Sequence, residues 1–540
     1  MDVSDEAPHT DSASPGGLVR FSLRDELPSG ALPQIAQWMR HARWYTGASS
    51  DLPRLYLRGQ VQLPGVEGPL VHLMLLEDTA SSTPVLYAVP LQVFPCEDVH
   101  HSRPHQVDPH AVIGQTHDGM LVDATRSASG RSAILRATLT ACLHPGSVTS
   151  SRCLSTEQSN TSMVFEFDDA EPIIVKLFRV IQPGLNPDIE LQTALSAHHC
   201  PHLAPVRGSL EAQWPLSDDH RVGKAGSDTL PDVRVAHGHL GIAQQFIPDT
   251  TDGWAFAIEQ ARQGRDIADD MVTLGQATRS VHASLRDAFG EMPLDPQPVL
   301  ARMRAHLNSA SHTVPQLRKH TDAVHTMLDR AVHRSWPSAQ RIHGDLHLGQ
   351  VIRDANGRWV FLDFEGEPMR PLSERSQPDA AMRDLAGMLR SIDYAAAFAA
   401  MAPGKPAPGD ATPGDPVPGD ATPDSQAAMP LSLQEWAQRA RIAYLSGYGF
   451  LPGPGSACDL TVLAAYEIDK AIYEAVYETS YRPSWAPIPL SAIERLTSNI
   501  GPAGSPYPSS DGTNSIGLTD EYLSSLIETT PTPPINGANA

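Results

Sequence analysis

The chain reads as an α+β protein made of a strand-rich first half and a helical second half, and three observations predict this. Runs rich in β-branched and aromatic residues recur through the first 250 residues, with few helical stretches between them. After about residue 252 the apolar spacing changes to the three-to-four-residue period of helices. At 540 residues the chain exceeds what one core supports, so two or three domains are expected.

The elements follow in order. Residues 1–17 are acidic and polar and read as a flexible tail. From 18 to 145, a helix in ALPQIAQWMRHARWY precedes strand-like LYLRGQVQL, VHLMLLED and YAVPLQVF, and the helical SASGRSAILRATLTACL closes a small α+β module. From 146 to 250 the pattern stays strand-rich, with MVFEFDD and PIIVKLFRV, then one helix around NPDIELQTALSAH. From 251 to 500, WAFAIEQARQGRDI, MVTLGQATRSVHASLRDAF and TDAVHTMLDRAVHRSW mark helices. The Pro/Gly/Asp-rich stretch at 403–425, with its repeated PGDATP, reads as a disordered insert, and 501–540 as a second flexible tail.

Composition excludes some functions. A formal charge of −22 argues against a general binder of nucleic acid or anionic membrane, though it allows a local basic pocket for a nucleotide. Five scattered cysteines without a C-x-x-C pair read as reduced, mostly buried thiols. The N-terminus lacks an apolar signal segment and no run reaches 18 apolar residues, so a cytoplasmic location is expected.

RIHGDLHLGQ (341–350) and WVFLDFEGEP (359–368) carry the chemistry. Between them, VIRD-ANG-RWVFLD reads as two short strands joined at Asn356-Gly357, which brings Asp363 back beside Gln350. Asp345 lies in the loop ahead of them. A carboxylate placed to accept a hydroxyl proton, near a second carboxylate and an amide oxygen that suit Mg²⁺, is the set phosphoryl transfer needs. The spacing repeats the kinase pattern of Asp-x-x-x-x-Asn followed by an Asp-containing strand end, with Gln for Asn and Asp-Phe-Glu for Asp-Phe-Gly. His343 and His347 make a weaker metal site, because His-Glu-x-x-His is absent.

The strand-rich half supplies the rest of a kinase. Lys176, in PIIVKLF, resembles the strand lysine that meets nucleotide phosphates, and Glu190 in the next helix is its expected partner. Ser159, Asn160 and Thr161 occupy the place of a glycine-rich phosphate loop. LGIAQQFIP (240–248), with Gln245 and Phe246, fits the hinge whose backbone reads adenine.

HGDLHLGQ, DFEGEP, RDLAGMLRSIDYAA (383–396) and EIDKAIYEAVYETSYRPSWAPIPL (467–490), with WMRHARWYTG (38–47), resemble actinobacterial maltokinases. The resemblance covers roughly residues 30–500 apart from the insert. It implies a bilobal, protein-kinase-like (aminoglycoside phosphotransferase-like) fold with an N-terminal α+β cap over 18–145. It also implies a kinase that makes maltose 1-phosphate from maltose and ATP. On that resemblance Asp345 is the base and Gln350 and Asp363 hold Mg²⁺. Lys176 binds phosphate, and His347, Tyr473, Tyr477 and Arg482 meet the sugar. Arg383 and Asp384 are expected to brace the loop. The chain departs from the family at RWYTGAS (43–49) and at the insert. Two rivals stand beside maltokinase: a kinase of the same fold for glucosamine, another sugar or an aminoglycoside, with Glu365 or Glu367 able to pair an amino sugar's ammonium, and a non-catalytic partner of a trehalose-converting enzyme. Association with trehalose synthase is a further expectation.

Overall fold

The computed structural model describes residues 17–22, 30–47, 52–63, 68–81, 83–95, 109–139, 146–154, 160–216, 234–367, 370–401, 431–450 and 460–498. The expected insert, the C-terminal tail, Ser159 and residues 1–16 lie outside the described residues. The chain divides into two compact units, Met1–Ser196 with Ala204–Pro248, and Ala197–Leu203 with Asp249–Ala540.

The strands of the first unit are β1 (Gly17–Arg20), β2 (Leu55–Leu63), β3 (Val71–Asp78), β4 (Val85–Phe94), β5 (Val112–Thr116) and β6 (Gly119–Asp123), followed by β7 (Val148–Cys153), β8 (Asn160–Phe167), β9 (Ile173–Phe178), β10 (Val180–Ile181), β11 (Val206–Pro215) and β12 (Val235–Gln245). They form two sheets. One runs β2-β3-β4-β6-β5 with β10 paired to β4, and the other runs β1-β11-β12-β9-β8-β7. The sheets exchange strands: β1 lies parallel to β11 (Gly17↔Leu210), while β10 joins β4 (Val180↔Tyr87). Gly17, read from sequence as the end of a tail, therefore opens an edge strand. Leu73, Leu75 and Ala88 from one sheet and Met163, Val175, Leu177 and Ile242 from the other share one core. Arg179 ties the sheets at their join. It is 1% exposed, meets Asp123 at 3.2 Å and Thr161 Oγ1 at 2.8 Å, and stacks on Trp44.

The second unit is mostly helical. The Gly253–Arg262 helix starts at the Asp252 cap, whose side chain accepts from Ala255 N–H. It ends five residues earlier than the sequence pattern implied, because Gly264 takes φ +62° and turns the chain. The Ala268–Phe289 and Leu433–Tyr448 helices meet backbone to backbone: a Cβ on Gly275 would lie 2.1 Å from Tyr444 O, and one on Gly447 would lie 2.0 Å from Val272 O. The expected hairpin forms, pairing Val351↔Phe361 and Arg353↔Trp359, with Gly357 at φ +82° in its turn. Behind it the Met382–Met401 helix packs against the Leu460–Tyr481 helix. Among the described residues no helix is long and apolar enough to cross a membrane.

Candidate active site

The loop 341–350 is held by one buried carboxylate. Asp384, 1% exposed in the first turn of the Met382–Met401 helix, accepts the backbone N–H groups of His343 and Gly344 at 2.8 Å each. It also meets His282 Nε2 at 3.0 Å. Burial alone would raise this carboxyl, but the His282 hydrogen bond and neighbouring charges hold it below the usual carboxylate range. Asp384 thus braces the loop, as expected. Gly344 adopts φ +85°, the left-handed region that glycine enters without strain. His343 closes the loop from the other side. Its Nε2 meets Leu362 O at 2.8 Å and its ring packs on Phe364.

The braced loop presents Asp345 to a cavity of about 330 Å³, lined also by Glu367, Arg370, Arg383, Lys470 and Tyr473. Lys470, which the sequence reading passed over, points its Nζ at Asp345 Oδ1 (3.4 Å) and Glu367 Oε1 (2.9 Å). Glu367 Oε2 accepts in turn from Arg370 Nε (3.0 Å) and Arg383 Nη2 (3.1 Å). Burial would push Glu367 up, but the Lys470 ammonium and then the Arg383 guanidinium outweigh it and hold the carboxyl down at about 2. Sequence left Glu367 open as a partner for an ammonium; in the structure three cations already surround it. Arg383, expected to brace the loop, links Glu367 to Asp379, which it meets at 3.4 Å.

Gln350 and Asp363 meet as the hairpin predicted, with Gln350 Nε2 3.4 Å from Asp363 Oδ2 and Leu362 N–H donating to Gln350 O. Asp363 sits at φ +58°, a backbone conformation uncommon for a residue with a Cβ. One of its carboxylate oxygens lies within 4.8 Å of one of Glu365's. Two carboxylates and an amide oxygen are hard donors that fit a magnesium ion. Rotating the Gln350 side-chain amide by half a turn brings its oxygen to face Asp363 in place of Nε2.

The expected sugar contacts separate. Tyr473 lines the cavity, whereas His347, Tyr477 and Arg482 are not among its lining residues. His347 Nδ1 accepts from Gly349 N–H and caps the turn Leu348–Gln350, and burial lowers its imidazole pKa. Tyr477 stacks on Tyr481 at 5.0 Å, and Arg482 pairs with Glu478 and lies over Trp485.

In the first unit, Lys176 holds the centre of its sheet, opposite Ser162 on β8 and Ile242 on β12. Its Nζ meets Asp188 Oδ2 at 3.2 Å; the sequence reading had named Glu190, two residues further on. Asp188 is fully buried and accepts from Gln192, and Gln192 accepts from Gln244, so a hydrogen-bonded row runs from the lysine to the hinge strand. Thr161 Oγ1 accepts from Arg179 Nε, and Asn160 is buried at the start of β8. The hinge N–H groups are taken: Gln245 N–H donates to Pro205 O and Phe246 N–H to Pro172 O.

Comparison with known proteins matches residues 38–126 to the maltokinase N-terminal cap domain and residues 240–409 to the phosphotransferase enzyme family. The chain thus carries a region similar to that cap domain followed by a region similar to that phosphotransferase family. The chain is 30% identical over 164 residues to a glucosamine kinase of Streptacidiphilus jiangxiensis, covering 28% of this chain and 37% of that one. It is 29% identical over 171 residues to one of Mycolicibacterium smegmatis, covering 28% and 41%. It thus spans about two fifths of the length of these curated relatives. A solved glucosamine kinase shares the fold at a TM-score of 0.56 and 18% identity, over 85% of this chain and 99% of that one. A solved glucosamine kinase in complex with glucosamine, ADP and inorganic phosphate aligns at a TM-score of 0.55 and 18% identity, over 85% of this chain and 98% of that one.

Lys470 and Asp188 are what sequence reasoning missed. Lys470 left one signal, a cation inside the apolar run of a long helix between Ile468 and Ala471, both fully buried.

Proposed function

We propose that the protein is an ATP-dependent kinase of a neutral sugar, acting on maltose at its anomeric hydroxyl to give maltose 1-phosphate. The observation that carries the reading is Asp345 at the cavity, on a loop braced by Asp384 and beside a row of cations that leaves no carboxylate of Glu367 for an ammonium. An amino sugar would bring its positive charge to Lys470, Arg370 and Arg383, which penalises it. The match to a maltokinase cap supports the same acceptor.

In this reading Asp345 accepts the proton of the attacking hydroxyl as its oxygen meets the terminal phosphoryl group, and ADP leaves. Lys176, fixed by Asp188, meets the nucleotide phosphates. Because the N–H groups of Gln245 and Phe246 are engaged, the adenine contact falls to the following hinge residues or to carbonyl oxygens. Gln350, Asp363 and Glu365 would hold Mg²⁺, which when bound offsets phosphate charge. Tyr473 offers an aromatic face and a hydroxyl to the sugar ring. The protein works in the cytoplasm, where ATP is supplied, next to an enzyme that yields maltose such as trehalose synthase, and its product serves α-glucan synthesis.

A second reading is a glucosamine kinase, favoured by the names of the similar proteins. ATP consumption measured across maltose, glucose, trehalose, glucosamine and an aminoglycoside tests both. Turnover highest with maltose supports the first; turnover highest with glucosamine replaces it with the second.

A further inference from the structure

We infer that Lys470 is a positioning residue for phosphoryl transfer: it fixes one carboxylate oxygen of Asp345 so that the other faces the acceptor hydroxyl. The inference rests on the reading of Asp345 as the base. Asp384 anchors the backbone of the loop at His343 and Gly344, two residues and one residue before Asp345, and its hydrogen bonds go to those N–H groups and to His282. The Asp345 carboxylate turns freely about its last bond unless something holds it. Lys470 Nζ stands 3.4 Å from Oδ1, close enough for charge to orient the group and too long to saturate it.

Lys470 is itself held. It lies midway along the Leu460–Tyr481 helix, where Ile468 and Ala471 are fully buried. Its ammonium is drawn to Glu367 at 2.9 Å, and Arg370 and Arg383 fix Glu367 in turn. The Tyr473 ring, 5.3 Å from Nζ, closes one side. The whole set runs from a rigid helix to one oxygen of the base. Taking an ammonium largely out of water is costly, and the two carboxylates offset that cost only while the geometry is kept. The arrangement therefore resists rotation of Asp345, which is what a base in a transfer reaction requires.

The test is a double-mutant cycle in the full chain, with turnover read in single-turnover mode. Lys470→Met should lower the rate by about 10–100-fold, since misplacing a reacting group by about 1 Å costs up to about 10²-fold. ADP affinity should not change, and Lys470→Arg should recover a large part of the rate. In the Asp345→Asn background, Lys470→Met should cause no further loss, because its effect passes through Asp345. Pairing Lys470→Met with Glu367→Gln removes the stranded carboxylate; melting temperature should recover while the rate stays low. An equal further loss in the Asp345→Asn background, or recovery of the rate together with stability, overturns the inference and leaves the base assignment standing. Wild-type turnover in Asp345→Asn alone overturns the base assignment, and the inference falls with it.

Discussion

Replacing Asp384 with Asn changes one atom at the centre of the loop and should lower both stability and turnover. The carboxylate accepts His343 N–H and Gly344 N–H at 2.8 Å and His282 Nε2 at 3.0 Å, all while 1% exposed. An amide has one oxygen. In either orientation its NH₂ faces one of the two backbone N–H groups, leaving a buried donor unpaired and removing the charge that strengthened the remaining bond. Hydrogen bonds to a charged group contribute about 1.5–3 kcal/mol each, so the expected cost is about 2–4 kcal/mol, with relaxation of the loop keeping it near the lower end. Relaxation moves Asp345, one residue beyond Gly344, and a shift near 1 Å implies about a 10²-fold loss of kcat. Urea unfolding followed on the second unit, together with kcat from ATP consumption, gives both numbers. Stability lowered as expected with kcat within threefold of wild type would refute the idea that this brace sets the position of Asp345.

Further outcomes follow from the same geometry. Asp345→Asn should reduce kcat by about 10²–10⁴-fold with little change in ATP affinity, read by steady-state kinetics and nucleotide calorimetry. Asp363→Ala should abolish the Mg²⁺ dependence of nucleotide binding, and Gln350→Ala should weaken it less because a neutral ligand contributes less; calorimetry with and without the metal separates them. Glu367 titrates at about 2 in place of its ordinary 4.5. Its folded pKa is depressed, so it stabilises the fold fully above 4.5, and that contribution, on the order of 3 kcal/mol, fades as pH falls toward 2. Glu367→Gln should flatten the dependence of melting temperature on pH across that window.

Local features were legible in the sequence, and long-range ones were not. The Asn356-Gly357 turn and the spacing from Gln350 to Asp363 lie within one hairpin, so strand alternation alone places the two side chains together. The contact between Lys470 and Asp345 joins residues 125 apart, and no periodicity reports it. Asp188 and Glu190 both fall in the first turn of one helix, and only its observed start at Pro187 shows that Asp188 turns toward Lys176. A strand forms over Val235–Gln245, where a hinge strand was expected, yet the use of the Gln245 and Phe246 N–H groups by Pro205 and Pro172 depends on chain returning from elsewhere. The use of the His347 ring as a cap on a turn of 3₁₀ helix likewise becomes visible only in the structure.

Phosphorus NMR of the product formed from maltose and ATP, with kcat/KM for maltose, glucose and glucosamine taken on the same preparation, tests the central claim most directly. The account predicts one phosphorus signal coupled to the anomeric proton, loss of the sugar's reducing end, and a preference for maltose over both monosaccharides. A pocket that leaves polar groups unpaired around a smaller sugar should set that preference at about 10²-fold or more. A higher kcat/KM for glucosamine, or phosphate attached away from the anomeric carbon, would contradict it.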